Sequence, residues 1–256
     1  MQDSMNRRFF LKFISLFSMA ASTGAIFSCN SHEKTSEFGS CLIDVHHHIL
    51  PPDCVATLKR NGMTSVGGVA LPDWSPQTPL SHMDQNEIAT GITSMPYLYL
   101  SDISLSRNLM RHCNEFSARL VSDYPKRFGS FAALPLPDAE AALRELEYAL
   151  DQLKLDGIVL PTNIGGHYLV DPEFDELFSE LNRREAVVFI HPVDPPGGCL
   201  TNLKLPTSLI EFVFDTTRAI ANLTYSGTLE RCPDIRFIVS HAGGTVPYLS
   251  WRISLF

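Results

Sequence analysis

The chain has 256 residues, 45% of them hydrophobic, with 20 lysines and arginines against 28 aspartates and glutamates for a net charge of −8. That apolar fraction excludes an intrinsically disordered chain, and the acidic balance excludes a nucleic-acid partner, whose phosphates it repels. Six cysteines are too few for a disulfide scaffold, and the lack of a Cys-x-x-Cys pair excludes a zinc knuckle or redox motif.

Residues 1–28 read as an export leader. Arg7 and Arg8 precede Phe10-Leu11-Lys12, and an uncharged apolar stretch of 16 residues follows, Phe13 to Ser28. A membrane-spanning helix needs about 20 apolar residues, so a signal fits better. The Arg-Arg-x-Phe-Leu-Lys pattern is similar to the twin-arginine signal of bacteria, with an ordinary secretory signal as the alternative. Ile26-Phe-Ser-Cys29 resembles a loose lipobox with Phe27 in place of a small residue. Cys29 is therefore a candidate lipid attachment, set against simple cleavage that leaves it unmodified. The leader carries a net +2, so a chain without it carries −10. Residues 29–40 are small and polar and read as a flexible tether. The expected location is the bacterial periplasm, or a membrane reached only through the lipid. The remaining cysteines, 41, 54, 113, 199 and 232, are odd in number and are read as thiols without structural duty.

From residue 41 strand and helix patterns alternate. Strand-like apolar runs lie at 41–46, 91–96, 128–134, 157–160, 186–191 and 235–241. They are continuously apolar, as in strands covered on both faces. Helical spacing appears at Ser104–Val121, in the segment that Asp138 caps through Leu153, at Glu173–Arg184 and at Ser208–Leu229. Alternation of this kind implies one parallel α/β domain over residues 41–256.

Parallel sheets carry their chemistry at the carboxyl ends of strands. The first run ends in His46-His-His48, the fifth in His191-Pro and the sixth in His241-Ala-Gly-Gly. Strand alternation puts His46 and His48 on one face and His47 behind it. With His191 they supply three nitrogens, the donor set of an open catalytic zinc site. His241 is placed to act as a general acid or base. Asp44 shares the face of His46 and is expected to orient it from outside the ligand set. His32, His82, His112 and His167 follow no such placement and read as ordinary surface or core histidines.

Asp44-Val-His46-His-His48-Ile-Leu-Pro51, Phe189-Ile-His191-Pro and Ser240-His241-Ala-Gly-Gly244 resemble the amidohydrolase superfamily. The text between them is similar to its non-hydrolytic branch around aminocarboxymuconate-semialdehyde, resorcylate and methylsalicylate decarboxylases. It includes Asp73-Trp-Ser-Pro76, His82-Met-Asp84, Asn114-Glu-Phe116, Pro125-Lys-Arg-Phe-Gly129 and Leu134-Pro-Leu-Pro-Asp138. The resemblance implies a (β/α)8 TIM barrel that binds zinc, sometimes manganese, through His46, His48 and His191, with His241 catalytic. It implies a substrate contact at Trp74, for which packing on the barrel rim is the alternative. It also implies a metal-binding aspartate on an eighth strand, whereas the sequence ends at Phe256 after the sixth. The expectation is a C-terminally truncated barrel of about six βα units. The expected activity is a carboxy-lyase for a small aromatic or unsaturated carboxylic acid. The alternatives are an amide or lactone hydrolase on the same barrel and an inactive remnant. The family often forms homodimers.

Overall fold

The structure is a computed structural model that describes residues 41–98, 100, 102–195 and 205–255. The expected leader, the tether and Cys29 lie outside the described residues.

Strand β1 (Leu42–His48) leads through Pro51 into α1 (Pro52–Arg60). Proline at a first helical position costs no backbone bond and presets φ. A small hairpin, β2 (Ser65–Val66) and β3 (Val69–Ala70), precedes α2 (Gln77–Gln85) and β4 (Ile88–Ser94). Helix α3 (Ile103–Asp123) starts at Asp102, whose carboxylate accepts the Leu105 amide. Strand β5 (Phe128–Ala133) is followed by α4 (Ala139–Glu147), where Asp138 accepts the Ala141 amide and so caps the helix as its sequence predicts. A wider turn, Tyr148–Gln152, continues it to β6 (Gly157–Pro161). A second hairpin, β7 (Asn163–Ile164) and β8 (His167–Tyr168), leads to α5 (Asp175–Arg183) and β9 (Val187–His191). The described chain closes with α6 (Thr207–Tyr225), α7 (Thr228–Arg231), β10 (Arg236–Val239) and α8 (Val246–Ile253).

Six strands form one parallel sheet in the order β1-β4-β5-β6-β9-β10. Sequence order and spatial order agree, which is the winding of a (β/α)8 barrel, here with six of its units. Alternate residues of the apolar strands serve two cores. Ile158, Leu160, Val188 and Ile190 pack with Leu146, Leu177 and Leu181 of the outer helices. Phe131, Val159 and Phe189 point the other way, into a second cluster with Leu50, Leu109 and Met110. Burial on both faces is why these runs lack polar alternation.

Two departures from the sequence pattern have local causes. The single helix expected over Ser208–Leu229 breaks into α6 and α7 at Gly227, where φ is 73° and only a left-handed residue fits. The cysteines read as idle are not all apart: buried Cys54 on α1 and Cys113 on α3 bring their sulfurs to 2.7 Å. Among the described residues no helix is long and apolar enough to cross a membrane.

Strands β6 and β9 approach closely because residue 157 has no side chain. A Cβ there would lie 2.4 Å from the Val187 carbonyl oxygen. Gly157→Ala is expected to destabilise the fold by about 1–3 kcal/mol, the usual cost of overpacking. Urea unfolding checks it, and an unchanged midpoint would show that the two strands separate freely.

Candidate metal centre

The strand ends gather the histidines as a parallel sheet should. Nε2 of His46 and Nε2 of His48 lie 3.2 Å apart, and one nitrogen from each of His46, His48 and His191 falls within 4.8 Å of the others. Ring centroids of His191 stand 5.0 Å from His46 and 4.7 Å from His48. His241 joins from the next strand, 5.0 Å from His46 and 5.7 Å from His191.

Each ring is held differently. His48 Nδ1 lies 3.3 Å from the Ser94 backbone oxygen, an acceptor only, so Nδ1 carries the proton and Nε2 presents its lone pair to the cluster. His191 is buried at the end of β9, and among the described residues its Nδ1 lacks a hydrogen bond of good geometry. An orphaned buried nitrogen is costly, and an ion among the three rings is one partner that satisfies it. His241 sits at φ 51°, in the left-handed region, with Nδ1 3.1 Å from Ser240 Oγ.

Strict alternation does not hold in β1. Its register against β4 slips between Asp44 and His47. Asp44 therefore supports His46 through the backbone, accepting the His46 amide at 3.0 Å, while its other oxygen meets His47 Nδ1 at 2.9 Å. The ring that Asp44 meets is that of His47, which packs behind the site near Phe128.

Burial, reinforced by the neighbouring imidazoles His48 and His241, drives the His46 pKa down to about 4. Burial among His48, His46 and His241 takes His191 down to about 2. Burial also lowers His48 and His241. All four rings are neutral near pH 7, the state in which imidazole binds a cation. The donor set fits a divalent metal ion held by His46, His48 and His191.

The histidines open into a cavity of about 790 Å³. Its walls are mainly apolar, with Leu50, Leu71, Tyr97, Phe212 and the β2–β3 hairpin, and Asn163 and Asp194 add polar groups. No lysine or arginine is among its described lining residues. The hairpin seats Gly67 against Phe212 of α6, where a Cβ would come 2.9 Å from the ring.

The structure does not bring Trp74 into this group. Its indole stacks edge-on against Phe116, with centroids 5.8 Å apart, beside Met83 and Phe128. His112 and His167 stand apart, near Asp53 and Asp171. Sequence reasoning missed Asn163, Asp194, Tyr97 and Phe212. Asn163 follows the end of β6 and Asp194 the end of β9, so the strand-end rule that found the histidines also reaches these two.

A family model described as Amidohydrolase matches residues 43–255. Decarboxylase yanB of Aspergillus niger is 41% identical over 223 residues, covering 82% of this chain and 60% of its own length. The 6-methylsalicylic acid decarboxylase of Penicillium expansum is 38% identical over 217 residues, covering 82% and 66%. The chain thus spans less than two thirds of the length of these curated relatives. A crystal structure described as amidohydrolase II superposes with a TM-score of 0.79 at 32% identity, over 84% of this chain and 71% of that one.

The lowered histidines fix a pH dependence. Between the ordinary imidazole value of 6.5 and about 4, the unfolded chain binds protons that folded His46 and His191 refuse. Stability of the metal-free protein is therefore present above that window and falls as the pH drops through it. Thermal unfolding of chelator-treated protein is expected to show this fall, and His46→Gln with His191→Gln to flatten it. Equal slopes in both proteins would assign the effect to carboxylates instead.

Proposed function

Because the chain belongs to the amidohydrolase family, we propose that its histidine cavity is the centre of a divalent-metal-dependent carboxy-lyase for a small aromatic carboxylic acid. One observation carries the reading: His46, His48 and His191 converge within 4.8 Å at the strand ends, with His241 beside them at the cavity. The names of its relatives, decarboxylases at 41% and 38% identity, support the lyase over the hydrolase.

Zinc is the metal we assign, with manganese next. When bound, such an ion supplies positive charge for carboxylate or phenolate oxygens and acidifies a water. The chain's own residues do the rest. Neutral His46, His48 and His191 hold the cation, and Ser94 keeps His48 in the tautomer that can do so. Leu50, Leu71 and Phe212 exclude water from the ring and favour a flat apolar substrate. As the bond from ring to carboxylate breaks, its electron pair stays on the ring carbon and carbon dioxide leaves. His241, partly open to solvent, exchanges the proton that replaces it.

The same reading takes the protein as exported on its Arg7-Arg8 leader, with Cys29 as lipid attachment, and as a homodimer. Mass analysis of Cys29 in the membrane fraction tests the anchor.

Purified metal-loaded chain incubated with 6-methylsalicylate or 2,6-dihydroxybenzoate is expected to release one carbon dioxide per acid consumed. His241→Asn should retain metal and lose about 10²–10⁴-fold in rate, the usual worth of a general acid–base group. Hydrolysis of amides or lactones without carbon dioxide would move the protein to the hydrolytic branch. Metal-loaded chain that processes neither class would sink the proposal.

A further inference from the structure

A buried carboxylate behind His191 has no part in the chemistry above. Asp215 lies on α6 with no exposed surface. One oxygen accepts the Thr162 hydroxyl and, at 2.9 Å, the Asn163 side-chain amide, and the other accepts the Tyr168 hydroxyl at 2.7 Å. Arg218 Nη1 is 3.7 Å away. A carboxylate out of water persists only where donors replace its hydration, and these three come from one short segment leaving the end of β6.

That segment also grips the end of β9 at His191 and the chain just beyond it. The Thr162 amide donates to the His191 carbonyl at 3.1 Å, and the Val193 amide donates to Thr162 Oγ1 at 3.3 Å. Asn163 Nδ2 reaches the Asp194 carbonyl at 3.3 Å as well. With its hydrogen committed to Asp215, the Thr162 hydroxyl keeps a lone pair for Val193. The carboxylate therefore decides which way the hydroxyl points, and the hydroxyl fixes the backbone just beyond His191.

We propose that Asp215 is a positioning residue for the metal ligand His191, acting through Thr162. The proposal rests on the metal-centre reading above. Glu145 provides the contrast: it is also a buried carboxylate, bonded to Asn114 and Arg111 at 2.7 Å, and among the described residues neither of those partners bonds to a histidine.

The test measures zinc and manganese affinity by titration against a chelator, with thermal midpoints alongside, in full-length wild type and four variants. Thr162→Val removes the link and leaves Asp215 with Asn163 and Tyr168, while Asp215→Asn removes the charge itself. Glu145→Gln and Asn114→Ala perturb buried bonds that do not lead to His191. Thr162→Val and Asp215→Asn are expected to weaken metal binding about 10–100-fold, as loss of a group behind a ligand does, with the other two within about twofold of wild type. Should Asp215→Asn fail to fold, Thr162→Val decides alone. Wild-type affinity in Thr162→Val overturns the proposal and leaves the metal centre standing. Equal weakening in all four variants reduces Asp215 to a general stabiliser and also overturns it. A wild type that binds neither metal overturns both readings.

Discussion

Imidazole nitrogens 3.2 Å apart, as Nε2 of His46 and His48 are, tolerate one another only while uncharged, by sharing a proton or with a cation between them. Much else in the molecule serves that condition. The sheet order places the ends of β1, β9 and β10 around one volume. Apolar residues beneath, Phe189 foremost at 5.4 Å from His46, keep water from stabilising a protonated ring. Ser94 fixes one tautomer from β4, while Asp44 spends its charge on His47 and the His46 amide. A carboxylate bonded directly to the His46 ring would have raised its proton affinity, so the slip in β1 favours the metal-binding form.

The sheet was the most legible part of the sequence, because strands buried on both faces leave uninterrupted apolar runs that nothing else in the chain imitates. All six runs became strands. The long helices α3 and α6 were legible by their spacing, and the shorter α4 by its cap at Asp138. Helices α1 and α2 were not: neither has a side-chain cap, and their buried positions include Cys54 and Pro79, which do not stand out as an apolar stripe. The hairpins β2–β3 and β7–β8 escaped for a related reason: two-residue strands have no period.

Within the site, the histidines were legible because side chains at strand ends need no knowledge of loops. That Asp44 would reach the His46 amide and the His47 ring was not legible, because a register slip belongs to the pairing of two strands and leaves no mark in either alone. Trp74 shows the converse limit. A tryptophan in a loop can face a cavity or cover Phe116, and the choice depends on where α3 lies. Asp215 stands about fifty residues along the chain from Thr162 and Asn163, so its role exists only in three dimensions.

His241 opens a run of four residues, through Gly244, that all have positive φ. Two of the four, His241 and Ala242, carry side chains in a conformation that costs each about 1–2 kcal/mol. The return comes from Gly244, lodged against α6 where a Cβ would meet the Val213 carbonyl at 2.4 Å, and from the Thr245 amide bonded to Thr217. The four-histidine cluster is thus mechanically heterogeneous. Three rings ride on strand ends, while the fourth is mounted on a strained turn that α6 holds down through Val213 and Thr217. Heat or a distant substitution that loosens α6 would free the His241 turn and, on the proposal for Asp215, unsettle His191 with it, so the two rings furthest along the chain share one helix as their support.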